Sequence, residues 1–345
     1  MMKYFLVFLL FCLGFIQPCF SASFSGFGSG FVYKFFQKTF NEYTYDTNIE
    51  LSYSPVGSKE GFNNLINYSG DFAGIDMFLS DNFLKNYDSP QEFLHIPVSL
   101  NGIGIIFNLD GISNLSLSAE LLSLIFQKKI TQWNDFRIQQ LNPKVVLPNI
   151  DIILITRDHP SGSTYLLTQY LSFFNETWER TIGSQSLLTI PGSLNAESSV
   201  HMGNLVSQIN GSLGYIDFSY SHDFDLNFIG IENLSRSYVT PTFDTISNAA
   251  SISMPSDGRI ICITSEHPQA YPITSFTWLL IYKDQYYKQR SYNYAQQFHS
   301  FLSWMINYSQ DYALMMGYPK LPESAIKLSE SLVNSMTYNG SVITP

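Results

Sequence analysis

The sequence predicts an α/β architecture with mostly parallel sheets. Short apolar, β-branched runs alternate with stretches whose apolar residues recur at helical spacing, the order that buries a sheet between helices. Several of the junctions are Gly- and Ser-rich turns that lead a strand into a helix N-terminus. With 345 residues the chain fits two domains, each able to bury a sizeable core.

Composition narrows the function. Aromatic residues make up 16% and charged residues only 13%, which excludes a disordered chain. The net charge is −10 and no basic run occurs, which argues against nucleic acid as a partner. A small anion remains possible, because local N–H groups and one arginine decide that binding.

In chain order, residues 1–21 read as a secretory signal: Lys3, an apolar core from Tyr4 to Ile16, then small residues around Ser21. No later run reaches the ~18–20 apolar residues of a membrane span, so the expected location is secreted or periplasmic. Gly26-Phe27-Gly28-Ser29-Gly30-Phe31 leads into a helix over 32–40. No full strand is legible before it, which excludes a dinucleotide fingerprint. Ile49 to Ser54 alternates as a strand, and Pro55-Val56-Gly57-Ser58 turns into a helix with Ser58 at the N-cap. Asp71-Phe72-Ala73-Gly74-Ile75-Asp76 is a short strand ending in a carboxylate. By itself Asp76 is either a turn or cap residue or a functional acid.

A strand is expected over 104–107 after Pro97, and Ser118 caps a helix from Ala119 to about Lys128. Ile152 to Ile155 is a strand buried on both faces. Residues 184–210 and 219–246 read as irregular, with a strand at 213–216 between them. Strands at 260–263 and 278–282 and helices through 298–305 and 324–333 complete the chain. Two of the three cysteines lie in the signal, so Cys262 is alone, no intrachain disulfide forms, and the thiol reads as a buried strand residue. Seven sequons, at Asn67, Asn114, Asn175, Asn210, Asn233, Asn307 and Asn339, mark a glycoprotein only in a eukaryotic host.

The most informative stretch is Arg157-Asp158-His159-Pro160-Ser161-Gly162-Ser163-Thr164, between the strand at 152–155 and apolar pairs 166/167, 170/171 and 173/174. A helix N-terminus leaves N–H groups unpaired and carries partial positive charge, so this turn is a prepared anion site. Gly162 admits an anion to the backbone, Ser161 and Ser163 add hydroxyls, and Arg157 supplies a forked cation. The plainer reading is an N-capped helix beside a surface arginine.

Other chemistry is not legible. The six histidines have no metal-ligand spacing, so neither metal nor cofactor is expected. There is no Gly-x-Ser-x-Gly elbow and no phosphate loop ending in Gly-Lys-Ser/Thr. His159 and Asp158 are too near Ser161 and Ser163 in sequence for a triad, so no catalytic residue is assigned.

Three turns aimed at an anion, one arginine and one strand-end aspartate together resemble the periplasmic phosphate-binding proteins of bacterial phosphate ABC transporters. The similarity runs through Gly57-Ser58, Asp71 to Asp76, Leu79-Ser80-Asp81, Lys129 to Asp135, Leu141-Asn142-Pro143, Leu213 to Ile216, Tyr271 to Ser275 and Leu321 to Ser324. The resemblance implies a two-lobed periplasmic-binding-protein type II fold, with mixed, mostly parallel sheets flanked by helices. One lobe would be residues 24–97 plus 266–345, the other 98–265, with a hinge between them closing on inorganic phosphate. It also implies an ABC transporter membrane component as partner.

Carried onto this sequence, the phosphate contacts fall on Gly30 and Phe31, Ser58, Asp76, Arg157, Ser161, Gly162 and Ser163. The first turn is shorter than the family's and lacks its threonine, so Ser29 replaces that hydroxyl. His159 stands where the family has aspartate, and Pro160 where it has glycine. His159 either donates to a phosphate oxygen or faces solvent. An ionised Asp76 accepts the proton that phosphate carries near neutral pH and repels sulfate, which carries none. The altered turns at 26–31 and 157–164, the sequons and the aromatic load favour an alternative, a non-transporting adhesion or receptor module on the same fold; a third reading is a phosphate-ester hydrolase using Ser161 or Ser163.

Overall fold

The computed structural model describes residues 22–87 and 91–344. The signal expected over 1–21 lies outside the described residues. The chain opens with β1 (Ser23–Gly28), α1 (Tyr33–Thr47), β2 (Glu50–Ser54), α2 (Ser58–Ile66), β3 (Phe72–Ile75) and α3 (Asp81–Asn86). β1 pairs in parallel with both β2 and β3.

A strand therefore does precede the first turn, contrary to the sequence reading. Its Ser-Phe-Ser-Gly-Phe-Gly composition hides it, yet the glycine is required. A Cβ on Gly26 would lie 2.0 Å from Cε2 of Phe72 on the adjacent strand. Phe24 and Phe72 join Phe36, Phe40, Phe298 and Phe301 in one aromatic core. Much of the chain's aromatic load is thus interior packing in this half of the molecule.

β4 (Phe93–Phe107) is the long connecting strand. Its first part pairs antiparallel with the late strand β12 and its last five residues pair with β8. It begins well before the expected 104 and runs through Pro97. The register slips between Thr277 and Trp278, so Trp278 faces Pro97 while Thr277 faces Ser99. Proline is tolerated at such an irregularity because one residue stands outside the ladder.

The second half runs β5 (Ser116–Leu117), α4 (Ala119–Phe126), α5 (Phe136–Leu141), β6 (Ile153–Arg157), α6 (Gly162–Phe174), α7 (Glu176–Thr181), β7 (Leu194–Ala196), α8 (Ser199–Gln208) and β8 (Ser212–Asp217). A 3-10 turn at Phe218–Asp223 follows, then β9 (Asn227–Phe228), β10 (Gly230–Glu232), β11 (Tyr238–Val239) and α9 (Phe243–Ala250). The segments read as irregular therefore contain two helices. Each is short; the Ser198 hydroxyl caps α8, and Thr242 and Thr245 form a reciprocal capping box at the start of α9. The strand expected at 260–263 is instead a 3-10 turn, Cys262–Thr264, though Cys262 is buried as expected.

β12 (Thr274–Tyr282) brings the chain back, and α10 (Tyr292–Asn307), α11 (Gln310–Ala313), α12 (Glu323–Asn334) and the hairpin β13 (Thr337–Tyr338) and β14 (Ser341–Val342) finish it. The main sheet has the order β2-β1-β3-β12-β4-β8-β6-β7, with β9 also on β4. β6 pairs in parallel with β7 and β8, so each end of the sheet is parallel and the middle is antiparallel. This is a two-lobed α/β fold: each parallel end forms a lobe with its own helices, and β4 and β12 run between them. Among the described residues no helix is long and apolar enough to cross a membrane.

Candidate functional site

The parallel strands of each end deliver their C-terminal turns to the cleft between the lobes, where open α/β sheets present ligand sites. From the first end come Ser29 after β1, Ser58 at the start of α2 and Asp76 after β3. The Ser29 hydroxyl donates to Asp76 Oδ2, and Thr277 of β12 donates to Oδ1 at 2.8 Å. Ser58 is not the N-cap of its helix. Gly57 holds that position, and the Ser58 oxygen accepts the Asp76 N–H at 3.2 Å. Asp76 is buried, and burial pushes its carboxyl up to about 7, with the hydroxyls of Ser29 and Thr277 working against the shift.

The first turn is tied down around Phe31. Tyr318 donates to its carbonyl at 2.5 Å, Tyr53 donates to the Ser29 carbonyl at 2.8 Å, and the Phe31 N–H donates to Ser29 Oγ at 2.9 Å. Gly30 projects into open space, and a Cβ there would meet nothing within 4 Å.

From the other end, β6 ends in Arg157 and α6 begins at Gly162. Ser161 is the N-cap, its Oγ accepting the Thr164 N–H at 3.1 Å. The first-turn N–H groups of Gly162 and Ser163 therefore lead into the cleft without an intrahelical acceptor. Gly162 meets the opposite wall: a Cβ on it would lie 2.9 Å from Asp76 Oδ2 and 3.3 Å from Phe31 Cζ. The fold thus brings together Ser29, Phe31, Ser58, Asp76, Gly162 and Ser163, residues up to 134 positions apart (163 − 29).

Arg157 is partly exposed. Its guanidinium donates to the Glu197 carbonyl at 3.0 Å and lies 3.3 Å from His159 Nε2, while its Nε is buried with no partner. His159 is exposed, with Nδ1 paired to Asp158.

One site residue escaped sequence reasoning. Asp217, at the end of β8, is buried and accepts from Ser163 Oγ at 3.2 Å and from Ser199 Oγ at 2.5 Å. Burial raises its carboxyl, and the charge of Arg157 works against that rise. A signal was available: Gly214-Tyr215-Ile216-Asp217 ends a strand as Gly74-Ile75-Asp76 does. Across the top of the cleft Lys34 of α1 reaches Asp223 at 2.8 Å and sits 3.9 Å from the Tyr220 ring centre. Among the described residues no group of three His, Cys, Asp or Glu side chains is placed to hold a metal ion.

Comparison with known proteins gives one consistent pattern. A family model for the PBP superfamily domain matches residues 18–307. A protein named phosphate-binding protein PstS from Haemophilus influenzae is 28% identical over 317 residues, covering 90% of this chain and 92% of that protein. An ABC-type phosphate transport receptor from Vibrio cholerae superposes with a TM-score of 0.60 at 18% identity, covering 87% of this chain and all of that one (100%). A human phosphate binding apolipoprotein superposes with a TM-score of 0.66 at 17% identity, over 89% of this chain and 93% of that chain.

Proposed function

We propose, from the premise that this chain belongs to the PBP superfamily, that it is a secreted or periplasmic receptor that captures inorganic phosphate by closing two lobes on it. The lobes are residues 24–97 plus 266–345 and residues 98–265, hinged at β4 and β12. The segment at 257–259 straps the second lobe to the first, with Arg259 donating to the Leu79 carbonyl at 2.9 Å and pairing with Asp81 at 2.6 Å.

The observation that carries this reading is the approach of Gly162 to Asp76 and Phe31 across the cleft. A helix N-terminus and a buried carboxylate around one small space, with Arg157 at the end of the strand that leads into that helix, make a recognition set for a tetrahedral anion that still holds a proton. Arg157 and the α6 N–H groups neutralise the oxygens, while Ser29, Ser58 and Asp76 order the side from which the proton is read. Each charge-assisted hydrogen bond contributes roughly 1.5–3 kcal/mol, so several offset the anion's desolvation.

The protein does no chemistry on its ligand. Ser161 Oγ lies 2.8 Å from Thr164 Oγ1, and Ser163 Oγ donates to Asp217, so neither serine bonds an imidazole. The partner that would receive the ligand is an ABC transporter membrane component; the Vibrio cholerae neighbour is an ABC-type phosphate transport receptor. Titration calorimetry with phosphate, arsenate and sulfate tests the reading. Phosphate and arsenate should bind at micromolar concentrations or below and sulfate far more weakly; absence of heat with millimolar phosphate refutes it.

A further inference from the structure

We propose that Lys34, Tyr220 and Asp223 form a latch between the lobes that contacts no ligand and sets how long phosphate stays bound. This rests on the phosphate reading above and extends it to the rate of release. Lys34 lies on α1 of the first lobe, and Tyr220 and Asp223 lie on the 3-10 turn 218–223 of the second. The Lys34 ammonium donates to Asp223 Oδ2 at 2.8 Å, sits 3.9 Å from the Tyr220 ring centre and lies 3.5 Å from the Ser219 carbonyl oxygen. All three partners belong to the other lobe, so opening the hinge parts the ammonium from each of them.

A lone exposed ion pair contributes little, because water and salt screen it. This one is seated beside a packed contact. Gly317, at the end of the 3-10 turn Leu314–Met316 of the first lobe, holds φ at +85°. A Cβ on it would lie 2.6 Å from the Ser219 carbonyl oxygen and 3.1 Å from Ser219 Cα. Two backbones from different lobes thus touch, and glycine alone suits both the left-handed conformation and the close approach. Ser219 is itself buried.

Each side of the latch continues into a wall of the cleft. On the first lobe Tyr318 follows Gly317 and donates to the carbonyl of Phe31, the residue whose ring faces Gly162. On the second lobe the turn follows directly on Asp217, which accepts from Ser163 in the first turn of α6. Seating the latch and bringing the cleft walls together are therefore one movement. The ammonium is taken up by its partners on the turn, so Lys34 is a positioning residue that acts on phosphate through closure.

The test is release of radiolabelled phosphate from the purified protein, chased with excess unlabelled phosphate, alongside calorimetric affinities. Lys34→Gln removes both the ion pair and the ring contact and should speed release about three- to tenfold. Asp223→Asn removes the ion pair alone and should speed release about two- to fivefold. The two changes move net charge in opposite directions, so a direct charge effect on the anion would give them opposite signs. The latch gives them the same sign, and a double variant that releases no faster than Lys34→Gln alone. Both side chains are partly exposed, and ligand-free melting temperatures should stay within about 2 °C of wild type. Opposite signs, additive effects, unchanged release, or ligand-free melting temperatures that fall in step with faster release each overturn the proposal. A wild-type protein that binds no label overturns the receptor reading itself, and this inference with it.

Discussion

Gly162→Ala adds one methyl group to the closing face of the cleft. Gly162 begins α6 with ordinary backbone geometry, so its own helix accepts alanine, and alanine is the better helix former. The opposite wall does not. The added Cβ would stand 2.9 Å from Asp76 Oδ2, inside the ~3.4 Å at which ordinary van der Waals contact begins. Phe31 Cζ at 3.3 Å blocks the sideways escape. The lobes must then stop about half an ångström short, a displacement that spoils one or two charge-assisted hydrogen bonds to the ligand at roughly 1.5–3 kcal/mol each. Phosphate affinity should fall about 10–100-fold, measured by calorimetry. The ligand-free melting temperature should hold or rise slightly, as glycine-to-alanine changes reduce unfolded-state freedom. An alanine variant that binds phosphate within about threefold of wild type would refute the reasoning, because the two walls would then not meet around the ligand.

Asp76→Asn should separate stability from binding. With its carboxyl raised to about 7, Asp76 favours the protonated fold. Its contribution is complete below the ordinary carboxylate range and is lost as pH rises through about 7. In urea titrations the ligand-free variant should therefore gain on wild type between pH 4 and pH 8, on the order of a few kcal/mol, while phosphate binding collapses; parallel curves would count against the buried-acid account. Arg157→Ala should weaken phosphate binding by about 2–5 kcal/mol with little change in melting temperature, since its guanidinium otherwise holds a loop carbonyl and a neighbouring histidine. Cys262, which burial pushes up to about 12, should resist a thiol reagent at pH 8 in the folded protein and react fully in denaturant.

Much of the architecture was legible because its signals are local. The run at 152–155 and the Ser-Gly-Ser start of α6 lie next to each other, and one N-cap fixes where the helix begins. β1 was not legible, because its glycine answers to a ring on β3 46 positions later (72 − 26), a demand invisible from its own composition. Ser58 was assigned the wrong job for the same reason. Its oxygen serves a backbone N–H on another strand end rather than its own helix. The stretch at 184–210 concealed α8 because its polar composition carries little helical periodicity, and its decisive residue, Ser199, acts on Asp217.

The strand-end aspartate Asp76 also explains why the cleft should stay open without ligand. Closure brings Gly162 against Asp76 and takes its carboxyl out of water, and burial raises that carboxyl to about 7. Near neutral pH an empty closed cleft must therefore either bury an unpaired negative charge or take a proton from solvent, and either route costs free energy. A ligand carrying its own proton removes both costs at once, while Arg157 and the α6 N-terminus absorb its charge. The same acid that penalises closing on nothing, or on sulfate, then favours closing on protonated phosphate. Selectivity and hinge motion are on this account one effect, so removing the acid, as in Asp76→Asn, should also let the cleft close more readily when empty, as a smaller radius of gyration in ligand-free X-ray scattering.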